Sequence, residues 1–323
     1  MKSAVLLIAF SRPDTTAPVF EAIRRAKPSR LYVAADGPRP QRLDECQKCE
    51  DVRQIVSNVD WPCEAKFLFQ DRNLGCKVAV SAAISWFFQH EEEGIILEDD
   101  CLPLPSFFRY CDELLEFYRN DERIAQISGS TFLPGSCHSG ASYYFTNYAD
   151  IWGWATWRRA WRHYDMMMSD WPVWRDNNQM ARLSYGSRLF ERYWSGTFDA
   201  THRGEIDTWD FQWLFTCWRT NGLSVAPIHN QIKNIGFGDG ATHTTYRAAA
   251  SFIEPQRPLI FPLIHPPDVK AIAKLDKLIS SKRYRINRVD ALRRSVRSLP
   301  IVGQALAQIR ETLIRKRFDR SAL

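Results

Sequence analysis

The strongest constraint on the fold is an alternation over the first hundred residues: uninterrupted apolar runs, each ending on a polar residue, with amphipathic stretches between them. AVLLIAF, residues 4–10, has no polar position, as in a strand covered on both faces. Ser11-Arg12-Pro13-Asp14 stops it, and helical spacing follows over Val19–Ala26. Leu31–Ala35 is a second strand, closed by the turn residues Asp36-Gly37-Pro38. The charged, periodic stretch 41–59 reads as a helix, and Ala65–Phe69 as a third strand ended by Asp71-Arg72-Asn73. Gly75–Phe88 carries an Ala/Val/Ile/Trp helical face, and Ile95–Leu97 is a fourth strand running into Glu98-Asp99-Asp100.

Strands alternating with helices imply a mostly parallel sheet with right-handed crossovers, an α/β Rossmann-like architecture. Open sheets of this kind bind ligands beyond the carboxyl ends of their strands. Arg12, Asp36 and the acid triplet all fall at such ends. Further on, Phe107, Phe108, Cys111, Leu114, Leu115 and Tyr118 keep helical spacing, and Ala125–Ser128 and Ser142–Phe145 read as strands. Trp154, Trp157 and Trp161 have the spacing of one helix face and are assigned to the core. Trp152 precedes Gly153 in a loop. Asp207 is expected to cap the helix that begins near Asp210.

Net charge is +6, but residues 268–323 hold fifteen Lys or Arg against five Asp or Glu, a balance of +10. The remainder has 28 basic and 32 acidic residues, or −4, so broad nucleic-acid contact by the body is disfavoured. We expect a globular domain over residues 1–265 and a basic amphipathic helical tail over 266–323, with helical spacing over Val302–Phe318; the tail is a solvated appendage, an oligomer contact or, the reading favoured, a peripheral anchor on anionic lipid. No apolar run approaches the roughly 18 residues that span a bilayer. The first run lacks a small-residue cleavage site and reads as a strand. Eight cysteines without a disulfide-framework spacing suit reduced thiols in a cytoplasmic protein, with the inner membrane face as a peripheral location. The C-x-x-C of Cys46 and Cys49 lacks a complete zinc-ligand set nearby.

Three consecutive acids at the end of a buried strand repel one another unless a cation or donors compensate. A hard divalent cation, Mn²⁺ or Mg²⁺, takes one or two carboxylates together with phosphate oxygens. The other reading of the triplet is a solvated acidic turn. A metal-dependent phosphoesterase or nuclease would use the same cluster.

The stretch GIILEDDCLPLPSFFRY, in order with AFSRP, AADGP, RNLG, TWDFQW and GDGATHT, resembles the GT-A glycosyltransferases, N-acetylglucosaminyltransferase I among them, in which E-D-D is a variant of the metal-binding D-x-D. IWGWATWRRAWRHYD is similar to a block in bacterial GT-A-type nucleotide-diphospho-sugar transferases. The resemblance spans about residues 3–260. It implies a metal-dependent, inverting transfer of sugar from a nucleotide-diphosphate donor, UDP favoured, to a hydroxyl of a glycan or lipid-linked acceptor. Asp100 would ligate Mn²⁺ or Mg²⁺; Glu98 and Asp99 would lie against the donor's sugar and ribose. Arg12 would meet a phosphate, Asp36 the nucleobase, and Lys77 the donor more weakly. Asp210 stands where the family keeps its catalytic base. His243 would sit beside the metal or diphosphate, and Trp152 would stack on an acceptor sugar. Each also has a plainer explanation: a surface cation for Arg12 or Lys77, a turn residue for Asp36, a first-turn helix acid for Asp210, a solvated loop residue for His243.

Overall fold

A computed structural model describes residues 1–133, 140–236 and 255–291. His243 and the expected helix Val302–Phe318 lie outside them. The chain begins β1 (Ala4–Ala9), α1 (Pro13–Ala26), β2 (Arg30–Ala35), α2 (Leu43–Ser57), β3 (Glu64–Phe69), α3 (Cys76–His90) and β4 (Glu93–Glu98). It continues through β5 (Cys101–Pro103), α4 (Pro105–Phe117), β6 (Ile124–Ser128), β7 (Tyr143–Thr146), β8 (Trp154–Trp157) and α5 (Arg158–Trp161). Then come α6 (Trp171–Asp176), α7 (Ala181–Ser184), α8 (Arg188–His202), α9 (Asp210–Arg219), β9 (Leu223–Pro227), β10 (Ile232–Asn234) and α10 (Ala273–Lys282).

Eight strands form one mixed sheet in the order β3-β2-β1-β4-β8-β6-β9-β7. Strands β1 to β4 are parallel, as their crossover helices require. All six residues of β1 are buried: Ala4, Leu6 and Ile8 join the core on one face, Val5 and Leu7 the core on the other. The unbroken apolar run follows from that double covering. Registers bring the strand ends level, with Ala9 opposite Ala35, Ala35 opposite Phe69, and Ile8 opposite Glu98. Phe10–Arg12, Asp36 and Glu98–Asp100 therefore emerge along one edge.

The helix expected through Trp154 and Trp157 is instead strand β8, antiparallel between β4 and β6. Residues i and i+3 share a helix face but oppose each other on a strand. Accordingly Trp154 lies in one core, and Trp157 lies in the other. Only Trp161 is helical, in α5. Gly153 makes the turn into β8 with φ +58, and a Cβ there would collide with the Ile232 side chain. Only glycine fits that backbone so close to β10.

The described part of the basic segment is packed on the body. The buried Asp276 of α10 accepts hydrogen bonds from Thr146 Oγ1 (2.5 Å), Asn147 Nδ2 (2.7 Å) and the Tyr185 hydroxyl (2.9 Å). Leu275 and Ile279 are buried beside it. Among the described residues no helix is long and apolar enough to cross a membrane.

Candidate active site

Beyond the level ends of β1, β2 and β4 lies a cavity of about 490 Å³. Its wall includes six acids, Asp36, Glu98, Asp99, Asp100, Asp207 and Asp210, and two arginines, Arg12 and Arg39. Arg39 is already paired with Glu45 and lies over the Phe10 ring at 5.6 Å. The cavity therefore carries a net negative charge.

Arg12 leaves β1 just before α1, whose first turn it closes by accepting the Thr16 N–H at 2.9 Å. Its guanidinium bridges two of the three acids: Nη2 pairs with Asp99, and Nη1 lies 3.0 Å from Asp100 Oδ2. Burial works against the Arg12 charge, yet the two carboxylates push its pKa further up. Asp99 is almost fully buried and also accepts the Phe10 N–H at 3.3 Å. Both its oxygens thus hold Arg12 and the end of β1. Burial raises its carboxyl to about 6 against the pull of Arg12.

Glu98 feels Arg12 only weakly, at a distance. Desolvation, then the charges of Asp100 and Asp99, push it up to about 8, and Asp210 adds to the rise. A carboxyl held protonated only in the native chain makes stability fall as pH rises from its unfolded value, about 4.3, to its folded one. Glu98→Gln is therefore expected to leave stability unchanged near pH 4 and to raise it by about 1–2 kcal/mol above about pH 8, after allowing for solvent at the cavity. Urea melts of the metal-free protein across that range test this; parallel curves for the two proteins would count against it.

Asp36 is turned toward the loop between β3 and α3. Its Oδ1 accepts the Gly37 and Leu74 N–H groups, each at 2.9 Å, and its Oδ2 accepts Asn73 Nδ2 at 2.9 Å and Gly75 N–H at 3.2 Å. Burial raises its pKa while these amides oppose the rise. The carboxylate expected to read a nucleobase shapes this loop, and Asp36, Asn73 and Gly75 all line the cavity. Lys77 stands in the first turn of α3, outside the residues lining the cavity.

Asp210 opens α9 and lines the cavity, where the Thr208 hydroxyl donates to its Oδ1. Its charge contributes to the shift at Glu98, so the two carboxylates act on one space. Asp207 is exposed and does not cap the helix; the cap position is Trp209, whose indole is buried in the core. Trp152, half-buried, lines the cavity beside Ile151. Chain segment 234–236 closes in from β10: a Cβ on Gly236 would strike Asp100 Oδ2 and lie 2.8 Å from Arg12 Nη1.

Sequence reasoning did not single out Arg39, Asn73 or Gly236 as site residues. AADGP, RNLG and GFGDGATHT marked their neighbourhoods, but only the tertiary contacts place them together.

Among the described residues no cluster of three His, Cys, Asp or Glu side chains forms a complete metal cage. A cation at this site would be held by few protein ligands, Asp100 first among them. Asp100 reaches the cavity with one oxygen on Arg12, and the acid-rich wall would repel any phosphate that entered without a cation.

No protein-family model matches the sequence, and no curated protein is similar to it. Among solved structures, the chain is similar to HddC from Yersinia pseudotuberculosis (9% identity, 49% of this chain and 77% of that one, TM-score 0.30). It is also similar to apo UDP-glucose pyrophosphorylase (10% identity, 72% and 91%, TM-score 0.34). UDP-glucose pyrophosphorylase complexed with UDP-glucose matches with 12% identity over 47% and 64%, at a TM-score of 0.27.

Proposed function

We propose that the chain is a divalent-cation-dependent GT-A-type glycosyltransferase. It would move a sugar from a nucleotide diphosphate, UDP favoured, to a hydroxyl of a glycan or lipid-linked acceptor. The observation that carries this reading is one cavity at the strand ends in which Arg12 and Asp100 stand on the β1/β4 edge and Asp210 stands at the start of α9. Asp100 would hold Mn²⁺ or Mg²⁺, which when bound supplies positive charge to the diphosphate as it departs. Arg12, whose Nη groups already hold Asp99 and Asp100, would meet a phosphate oxygen with its remaining N–H donors. Glu98 would lie against the donor's sugar.

Asp210 would accept the acceptor hydroxyl's proton as that oxygen bonds to the anomeric carbon and the bond from that carbon to the diphosphate breaks. A single displacement of this kind inverts the anomeric centre. Trp152 would stack on an acceptor sugar.

A thermal-shift screen with Mn²⁺ against UDP, GDP, dTDP and CMP tests the reading. We expect one nucleotide to raise the midpoint in Mn²⁺ and to lose that effect in EDTA. If no nucleotide acts under any metal condition, the donor site is wrong and the acids must be read as hydrolytic or structural.

A further inference from the structure

We infer that Arg283, from the segment following α10, is the positioning residue for the Trp152 side of the cavity; its role toward a sugar acceptor rests on the transferase reading above. The Asp276 cluster fixes α10 on the body, and Tyr284 then stacks on Tyr148 (centroids 5.2 Å apart, planes 21°) and packs edge-on against Trp194 at 4.8 Å. Between these anchors and the cavity, the Arg283 guanidinium lies 3.9 Å over the Phe132 ring and 5.9 Å from the Trp152 ring centroid. Its Nη1 is 2.8 Å from Asp150 Oδ2, while Asp150 Oδ1 accepts the Trp152 N–H at 3.4 Å.

One planar cation thus touches the carboxylate that holds the Trp152 backbone and the ring that packs against the Trp152 indole, Phe132 at 5.7 Å. Its side chain is only 20% exposed, so the stack and the ion pair persist together in a partly dry setting, where a guanidinium is far more suitable than an ammonium. Ile151 and Trp152 line the cavity with Asp210. An element read from sequence as an appendage therefore sets the wall against which an acceptor pyranose would lie.

The test follows the indole N–H signals of the twelve tryptophans by NMR in the full chain, with Trp152→Phe assigning the Trp152 signal. In Arg283→Ala the Trp152 signal is expected to move or split while the other indoles hold. Arg283→Lys, which keeps the charge but not the stack, should restore it in part. Affinity for UDP in Mn²⁺, read by calorimetry, should stay within about twofold, since Arg12 and Asp100 are untouched. An unmoved Trp152 signal in Arg283→Ala overturns the inference, as does a general shift of all indoles, which would mark a purely structural role. Should Arg283→Ala fail to fold, Asp150→Asn, which weakens the same ion pair, must displace the Trp152 signal or the inference falls. Absence of UDP binding to the wild type would remove the transferase reading, while the indole result would still decide whether Arg283 positions Trp152.

Discussion

Asp210→Asn is expected to lower sugar transfer by about 10²- to 10⁴-fold, the usual contribution of a positioned general base, with nucleotide affinity almost unchanged. The amide is nearly isosteric and can still accept from Thr208, whose hydroxyl meets Oδ1. The start of α9 should therefore keep its shape. Loss of the first-turn negative charge costs about 0.3–1 kcal/mol of helix-dipole stabilisation, too little to unfold a chain of this size. The measurement is a pair of numbers on one preparation: turnover of the nucleotide sugar found in the screen, and its binding constant. A fall in turnover alone assigns the base; a parallel fall in both makes Asp210 a donor-site residue. Unchanged turnover would send the search for the base to another carboxylate of the same cavity.

Asp100→Ala carries the second large effect, with opposite signs in the two states of the protein. Saturating nucleotide with Mn²⁺ at about a hundred times its dissociation constant stabilises the wild type by about 2.7 kcal/mol, or several degrees of melting temperature. We expect the variant to lose that increment. Without ligand, however, it should melt at the same temperature as wild type or slightly above. Removing Asp100 leaves the mostly buried Arg12 still paired with Asp99, and the same carboxylate raises the proton affinity of Glu98. Removing it relieves repulsion inside an acidic wall. A variant that melts well below wild type without ligand would show Asp100 to be structural.

Much of the first half was legible because its physics is local. β1 has to be apolar throughout when both faces are covered, and Pro13 and Asp14 start the next helix where that run stops. The strand ends could accordingly be read as a row, and with them Arg12 and the acid triplet. Where the reading failed, information from distant residues decided. Trp154 and Trp157 fit a helix by spacing, and only insertion between β4 and β6 makes them strand residues. The partners of Asp36 and Asp99 were not legible either, because the sequence does not show that Leu74, Gly75 and Arg12 fold back onto them. Arg283 lies well over a hundred residues from Asp150, in a stretch whose composition suggests only a basic surface.

The tryptophans beneath α9 have a mechanical consequence. Trp209 and Trp213 are wedged against Trp154 and Trp161, with centroids 5.2 to 6.5 Å apart. Trp171 and Phe198 abut Phe215 from the other side. Interiors packed this closely are nearly incompressible and pass displacement on rather than absorbing it. The carboxylate at the head of α9 thus rests on an anvil of fused rings. Any adjustment to an incoming substrate must be made by the substrate or by softer parts of the rim, because the helix itself will not yield.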